Sequence, residues 1–261
     1  MAQFRLDKLL ADRTQFSRAD IKKIIRSGAV TVDGTKVTDG GFKVDPDTQT
    51  VTCMGKQIRG GAHLYLVMNK PVGVISATED RKQKTVIDLV PKEFRVKGLF
   101  PAGRLDADST GLLLLTDDGE LAHRMLSPKH HVPKCYLVRL ARPYEDSYAE
   151  RFAQGLTLSD GMQCLPAEIC SLREHENYAL VRVQEGKYHQ VKRMLAAVGN
   201  HVEHLHRIAV GSYLLPPQLP PGACLEVFHK DVESMLNLCE MPVLRDRVVY
   251  DFSSYSINES Q

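Results

Sequence analysis

The chain has 261 residues, enough for one large domain or two unequal ones, and its ordinary apolar content can supply a sizeable core. A net charge of only +2 excludes a global positive field as the means of holding a nucleic acid, so any such grip must come from local clusters of basic residues, which fall near the N-terminus and again at 187–193. Six cysteines with no CxxC pair, no N-terminal apolar segment and no run long enough to span a bilayer predict a soluble, non-secreted, cytoplasmic protein with reduced and mostly buried thiols.

Residues 1–58 read as a small module. Phe4, Leu6, Leu9 and Leu10 have the spacing of one short amphipathic helix. Ser17 is placed to cap a second helix from Ala19 to Ser27, which Gly28 ends. Ile21, Ile24 and Ile25 form the apolar side of that helix, while Arg18, Lys22, Lys23 and Arg26 cover the rest with only Asp20 opposing them. Val30 to Val37 then alternates around Asp33-Gly34, a two-residue hairpin turn. Cations on a short helix beside a hairpin suit a grip on an RNA backbone; an ordinary solvated face is the plainer alternative. The series Arg5-Leu6-Asp7-Lys8-Leu9, Ser17-Arg18 and Gly28-Ala29-Val30-Thr31-Val32-Asp33-Gly34 resembles the S4 RNA-binding module. That resemblance implies binding to structured RNA through Arg5, Lys8, Arg18, Lys22, Lys23 and Arg26.

Gly55 to Ala62 reads as a flexible linker, with the break between domains at 59–62. Leu64 to Asn69 alternates as a strand that Lys70-Pro71-Val72-Gly73 ends in a turn, and Thr85 to Val90 is a short helix. Between the turn clusters Pro101-Ala102-Gly103 and Asp117-Asp118-Gly119 stand four consecutive leucines, Leu112 to Leu115, which predict a strand buried on both faces. Glu120 to Leu126 is helical, with Asp117 and Glu120 spaced as a capping pair. Strands are expected at Lys134–Leu140, where Lys134, Tyr136, Val138 and Leu140 share one face, and at Gln163–Leu172, Tyr178–Gln184 and His204–Val210. One helix runs from Ser147 to Gln154 and stops at Gly155; another carries Val191, Met194, Leu195 and Val198 before Gly199-Asn200 closes it. Asp231 is placed to cap a last helix reaching Leu238, and residues 239–261, without an apolar period, are expected as an irregular, loosely attached tail. The sum is an α+β chain, a small α/β module followed at 63–238 by a domain built on a mixed or antiparallel sheet.

The candidate chemistry lies at Arg104, Asp106 and Asp108, a charged knot in a glycine-bracketed loop; a polar surface turn between two strands explains it equally well. A calcium loop fails on Thr110 at its fifth place, on Asp117 at its twelfth and on the missing flanking helices. A glycosidase-like pair would need two carboxylates facing one another across a substrate, and two positions apart on one loop is uncharacteristic. A single carboxylate nucleophile is the third reading; it must stay ionised and so needs a nearby cation. Lys192 and Arg193, at the start of the helix after Glu185-Gly186-Lys187-Tyr188, are the candidates, although surface charge on an amphipathic helix explains them equally well. The Gly186-Lys187 pair lacks the glycine spacing of a phosphate loop. His201, His204 and His206 hint at zinc but lack a fourth ligand at familiar spacing.

Gly103-Arg104-Leu105-Asp106 with Thr110 to Gly119 resembles the catalytic motif of pseudouridine synthases, and Lys134-Cys135-Tyr136 is similar to their second motif. Gly186 to Met194 and Leu205-His206-Arg207 are similar to the third motif and its extension, and Asn69 to Gly73 matches the strand and turn that open the domain. With an S4-like module in front, the whole resembles the RsuA-type branch, which modifies ribosomal RNA. The resemblance implies a cytoplasmic, monomeric isomerase that works without cofactor or metal on a flipped uridine of small-subunit (16S) RNA, either in free ribosomal RNA or in an assembly intermediate. Large-subunit (23S) RNA is the alternative substrate, and a non-catalytic RNA-binding assembly factor the alternative class. It further implies that Asp106 is the essential carboxylate, acting at ribose C1′, at base C6 or on the departing uracil. Tyr136 would stack on the base and take part in proton removal, Lys192 or Arg193 would pair with Asp106, Arg104 would fill the gap left by the nucleotide or hold its phosphate, and Leu205 and Arg207 would line the pocket.

Overall fold

The Ser17 side chain accepts from the Asp20 amide and so starts the second helix where the sequence places it. This computed structural model describes residues 3–255 except 15, 47, 59–62, 173–174 and 239. The chain divides into two units, residues 1–63 and 64–261. The first contains β1 (Phe4–Arg5), α1 (Leu6–Arg13), α2 (Arg18–Arg26), β2 (Val30–Val32), β3 (Thr35–Lys36), β4 (Lys43–Val44), β5 (Val51–Cys53) and β6 (Lys56–Ile58). Strands β3-β2-β5-β6 form an antiparallel sheet, and β1 pairs with β4. Asp33 and Gly34 both take positive φ in the β2–β3 turn, as a tight hairpin requires. Leu6, Leu9 and Leu10 of α1 meet Ile21 and Ile25 of α2 over Val30, Val32 and Val51 in one small core. The flexible reading of Gly55 to Ile58 is corrected: Met54-Gly55 is a second tight turn and β6 pairs back on β5. The remaining linker positions, 59–62, lie outside the described residues.

The second unit contains β7 (Tyr65–Lys70), α3 (Val86–Leu89), β8 (Phe100–Ala102), β9 (Thr110–Thr116), α4 (Gly119–Leu126), β10 (Lys134–Leu140), α5 (Ser147–Ala153), β11 (Glu168–Leu172), β12 (His175–Val183), α6 (Gln190–Ala197), β13 (Val202–Val210), β14 (Tyr213–Leu214), β15 (Cys224–Glu226), α7 (His229–Ser234), α8 (Met241–Tyr250) and α9 (Phe252–Tyr255). Its mixed sheet runs β11-β12-β10-β13-β9-β7-β15, with β14 beside β13 and β8 beside β9. All these pairs are antiparallel except β13–β9. The leucine run behaves as predicted. Leu112 and Leu114 enter one core while Leu113 and Leu115 enter another on the opposite face.

Strand β9 changes partners along its length. Its N-terminal end pairs with β13 at Thr110 and Gly111, and its C-terminal end pairs with β8 from Leu114 to Thr116. The connection 103–109 leaves the sheet at this fork. Only glycine fits at 111: φ is +102°, and a Cβ would lie 2.3 Å from the Arg207 carbonyl oxygen.

Several local expectations are corrected. Asp118, not Asp117, caps α4 by accepting from the Leu121 amide, while Asp117 accepts from Leu64 N. Strand β11 begins at Glu168 rather than Gln163, which forms only an isolated bridge to Thr157. Asp231 lies inside α7 and reaches back to the Phe228 amide, and the helix ends at Ser234. The irregular tail expected from 239 is two helices over the described residues 240–255. Met241, Leu244 and Val248 repeat at helical spacing and are buried, with Tyr255, in the largest core.

Candidate active site

The loop that carries Asp106 is held by its own carbonyls. Ser76 and Leu105 bond reciprocally, Oγ to carbonyl at 2.9 Å and amide to Oγ at 3.0 Å. The Gly73 amide donates to Ala107 O at 2.7 Å. Lys70, fully buried at the end of β7, donates through Nζ to the carbonyls of Asp106 (2.9 Å), Ser109 (2.8 Å) and Pro71 (3.1 Å). Burial pushes this ammonium down to about 8, against the pull of Asp108 and Asp106. The loop backbone is thus fixed before any substrate arrives.

The Asp106 carboxylate, 33% exposed, faces two basic side chains of the segment that opens α6. His189 Nε2 lies 3.3 Å from Oδ1, and Lys192 Nζ lies 3.8 Å from Oδ2. Lys192 has a closer partner in Asp108, at 2.6 Å, and this hydrogen bond holds the Asp108 carboxyl below the usual carboxylate range despite its partial burial. Of the two cations predicted as partners, geometry selects Lys192. Arg193 turns away to Asp160 at 2.5 Å. The start of α6 is braced by Gln190, whose side chain accepts from the Lys187 amide and donates to Glu185.

Asp106 opens into a cleft of about 270 Å³ lined also by Arg104, Tyr136, Leu205, Tyr188 and His189. Tyr136 reaches it from β10 and Leu205 from β13, on the face the strand alternation assigns. Arg207 does not line it, a correction. At the fork, β13 has ended its pairing with β9 and β8 has not begun, so the Leu112 carbonyl would be left without a strand partner. The buried Arg207 supplies one, Nε to O at 2.7 Å. Lys134 nearby is buried itself, which pushes its ammonium down to about 8, and the Arg207 charge acts in the same direction.

His204 and His206 share one face of β13, and the hydroxyl of Thr110 bonds to both rings, at 3.2 and 2.8 Å. Burial pushes their imidazoles down to about 4 and about 3, so both are neutral at pH 7. Among the described residues no group of three His, Cys, Asp or Glu side chains is placed to hold a metal.

Of the residues predicted in the S4-like module, Arg5, Lys8, Arg18 and Lys22 line a second cleft of about 290 Å³, with Asp7 holding Arg5 through two hydrogen bonds. Lys23 and Arg26 are exposed outside that lining. Sequence reasoning missed Lys70, Ser76, His189 and the Asp108–Lys192 pair. A lysine ending a strand of otherwise uncharged residues was the available signal for Lys70.

A mixed sheet with a carboxylate on the loop at its fork, opening into a cleft, is the arrangement of an enzyme site. Residues 64–197 match the RNA pseudouridylate synthase family and residues 4–49 match the S4 domain. The chain belongs to the RNA pseudouridylate synthase family. It is 46% identical over 231 residues to the uncharacterized RNA pseudouridine synthase YtzG of Bacillus subtilis, covering 87% of this chain and 96% of that one. It is 42% and 38% identical to the ribosomal small subunit pseudouridine synthase A of Vibrio parahaemolyticus and of Escherichia coli K12, in each case over 89% of this chain and the whole of the relative. A crystal structure of a pseudouridylate synthase superposes with a TM-score of 0.62 at 35% identity, covering 89% of this chain and 99% of that one. The chain is therefore an isomerase of RNA uridine.

Proposed function

We propose that this protein isomerises one uridine of small-subunit ribosomal RNA, with Asp106 as the carboxylate that acts on the nucleotide. The observation that carries the reaction is the solvent-reaching Asp106 carboxylate on a loop held through the carbonyls of Leu105, Asp106, Ala107 and Ser109, beside His189 and Lys192. The choice of small-subunit RNA is supported by what the Vibrio and Escherichia relatives are named for. The reaction breaks the N1–C1′ bond, turns the uracil, joins C5 to C1′, releases the C5 proton and takes one up at N1. It is redox-neutral and mass-neutral. A base cannot be turned inside a helical stack, so the uridine must be flipped out.

In this reading Tyr136 stacks on the flipped uracil and takes part in removing the C5 proton, Leu205 packs on the uracil, and Arg104, exposed at the mouth, holds its phosphate or fills the gap it leaves. Lys192 and Asp108 form a pair that sets the charge around Asp106. The basic clefts and faces of the first unit add phosphate contacts. No helix among the described residues is long and apolar enough to cross a membrane. The reading is of a cytoplasmic monomer acting on ribosomal RNA or an assembly intermediate.

The test is release of tritium from C5-labelled uridine in both ribosomal RNAs, with the site mapped in a deletion strain. Asp106→Asn should abolish release while RNA binding stays within several-fold, because phosphate contacts lie elsewhere. Turnover by that variant at a tenth of the normal rate overturns the assignment of Asp106. Release from large-subunit RNA alone overturns the choice of substrate.

A further inference from the structure

At the mouth of the Asp106 cleft stands an aromatic ring that the reaction itself leaves unused. Tyr188 is 74% exposed and lines the same cleft. One face of its ring lies on the His189 imidazole, with centroids 3.8 Å apart and planes 19° apart. The stack depends on backbone that His189 does not adopt freely: φ is 48° and ψ is 34°, the left-handed region. Both sides of Tyr188 are anchored. Lys187 before it is tied to Glu185 at 3.0 Å and to the Gln163 carbonyl, and the Tyr188 carbonyl accepts from Arg193, which Asp160 holds. A large apolar ring is thus fixed in water with one face covered by a neighbour that itself touches the Asp106 carboxylate.

We propose that the exposed face of Tyr188 is a stacking subsite for the nucleobase adjoining the flipped uridine in the RNA. Flipping removes a stacking partner from that neighbouring base. A fixed aromatic face at the cleft mouth replaces it, and because every base presents a π-face the subsite accepts any of the four. The occupied subsite is a three-layer stack of base, Tyr188 and His189, which shields the His189–Asp106 contact from water. The inference rests on the reading of Asp106 as the group acting on a flipped uridine.

The experiment places 2-aminopurine at each neighbour of the modified uridine, in a fragment of whichever ribosomal RNA the wild-type enzyme turns over. A wrong choice of RNA is therefore read separately, from tritium release alone. Binding the wild-type protein should quench the 2-aminopurine on one side of the uridine several-fold. Tyr188→Ala and Tyr188→Leu should lose that quenching and raise KM about tenfold, the scale of one base–aromatic stack, with the loss falling on KM rather than kcat. Tyr188→Phe should restore both. A purely structural Tyr188 would alter kcat or thermal stability and leave the fluorescence alone. Quenching that persists in Tyr188→Leu, or a KM within about twofold of wild type in Tyr188→Ala, overturns the proposal.

Discussion

Lys70 gives its three ammonium protons to backbone carbonyls, two of them, Asp106 and Ser109, in the loop that carries Asp106 and the third at Pro71 beside it. A neutral amine has only two and donates them without the help of a charge, so deprotonation weakens the hold on the loop. With the ammonium pushed down to about 8, activity is expected to fall as pH rises through about 8, and a pH–rate profile should show this alkaline limb. The linkage to stability runs the other way. The folded value lies below 10.5, so between about 8 and 10.5 the unfolded chain holds more protons and folding stability gains with pH. Activity lost while the melting temperature holds or rises would separate loop loosening from unfolding. Lys70→Met should cost about 10²-fold in kcat, the scale of an angstrom-sized misplacement, and flatten the limb. At the other side of the site, Lys192→Met removes the hydrogen bond that holds Asp108 low, so the Asp108 carboxyl should titrate higher and activity should drop about 10²-fold. Arg193→Met removes the ties to Asp160 and to the Tyr188 carbonyl and should leave the acid limb where it is. An acid limb that moves in Arg193→Met and not in Lys192→Met would reverse the assignment of the cation.

Helix α2 carries its basic residues on exposed faces and its isoleucines inward, so charge and fold can be separated there. Neutralising Lys22, Lys23 and Arg26 together should reduce the slope of log K against log salt by about 0.7 to 0.9 for each phosphate that the helix no longer neutralises. Salt titration of RNA binding reads this directly, and an unchanged slope would mean the face is only solvated. Far-UV circular dichroism should be unaltered, because Ile21 and Ile25 keep their core. Strand β9 cannot be separated in this way. It carries two cores, the Asp106 loop and the junction with β13, and its glycine at 111 touches the Arg207 backbone, so changes along it affect fold and site together.

At the scale of the whole chain, the segment after residue 239 is part of the second unit's core. Leu244 is fully buried in the cluster that also holds Leu112 and Leu114 of β9, and the Tyr255 hydroxyl donates to the Leu215 carbonyl. Leu244→Ala should cost about 2–4 kcal/mol and lower Tm by roughly 5–10 °C in calorimetry, with KM for RNA retained because α8 does not line the cleft. A Tm identical to wild type would show that α8 is not docked in solution.

The sequence by itself determined the features whose cause is local: the Ser17 cap, the Asp33-Gly34 turn, the alternation of β10 and the buried leucine strand each follow from a few neighbouring residues. It also brought Asp106, Tyr136, Arg104 and Leu205 forward as members of one site, through motifs that resemble a known family, and the cleft does contain all four. Where a competing signal stood one residue away, as with Asp117 and Asp118, local reading failed, because both can cap and the Leu64 amide, just ahead of β7, engages Asp117 and leaves the cap to Asp118. The partners across the fold were beyond it. Lys70 reaches a carbonyl 36 residues on, and Lys192 a carboxylate 84 residues back, so their meeting depends on strand order rather than on spacing. Arg207 shares a face with Leu205, yet its guanidinium turns to Leu112 because β9 changes partners there, and a carbonyl at such a fork needs a partner from outside the strand pairing.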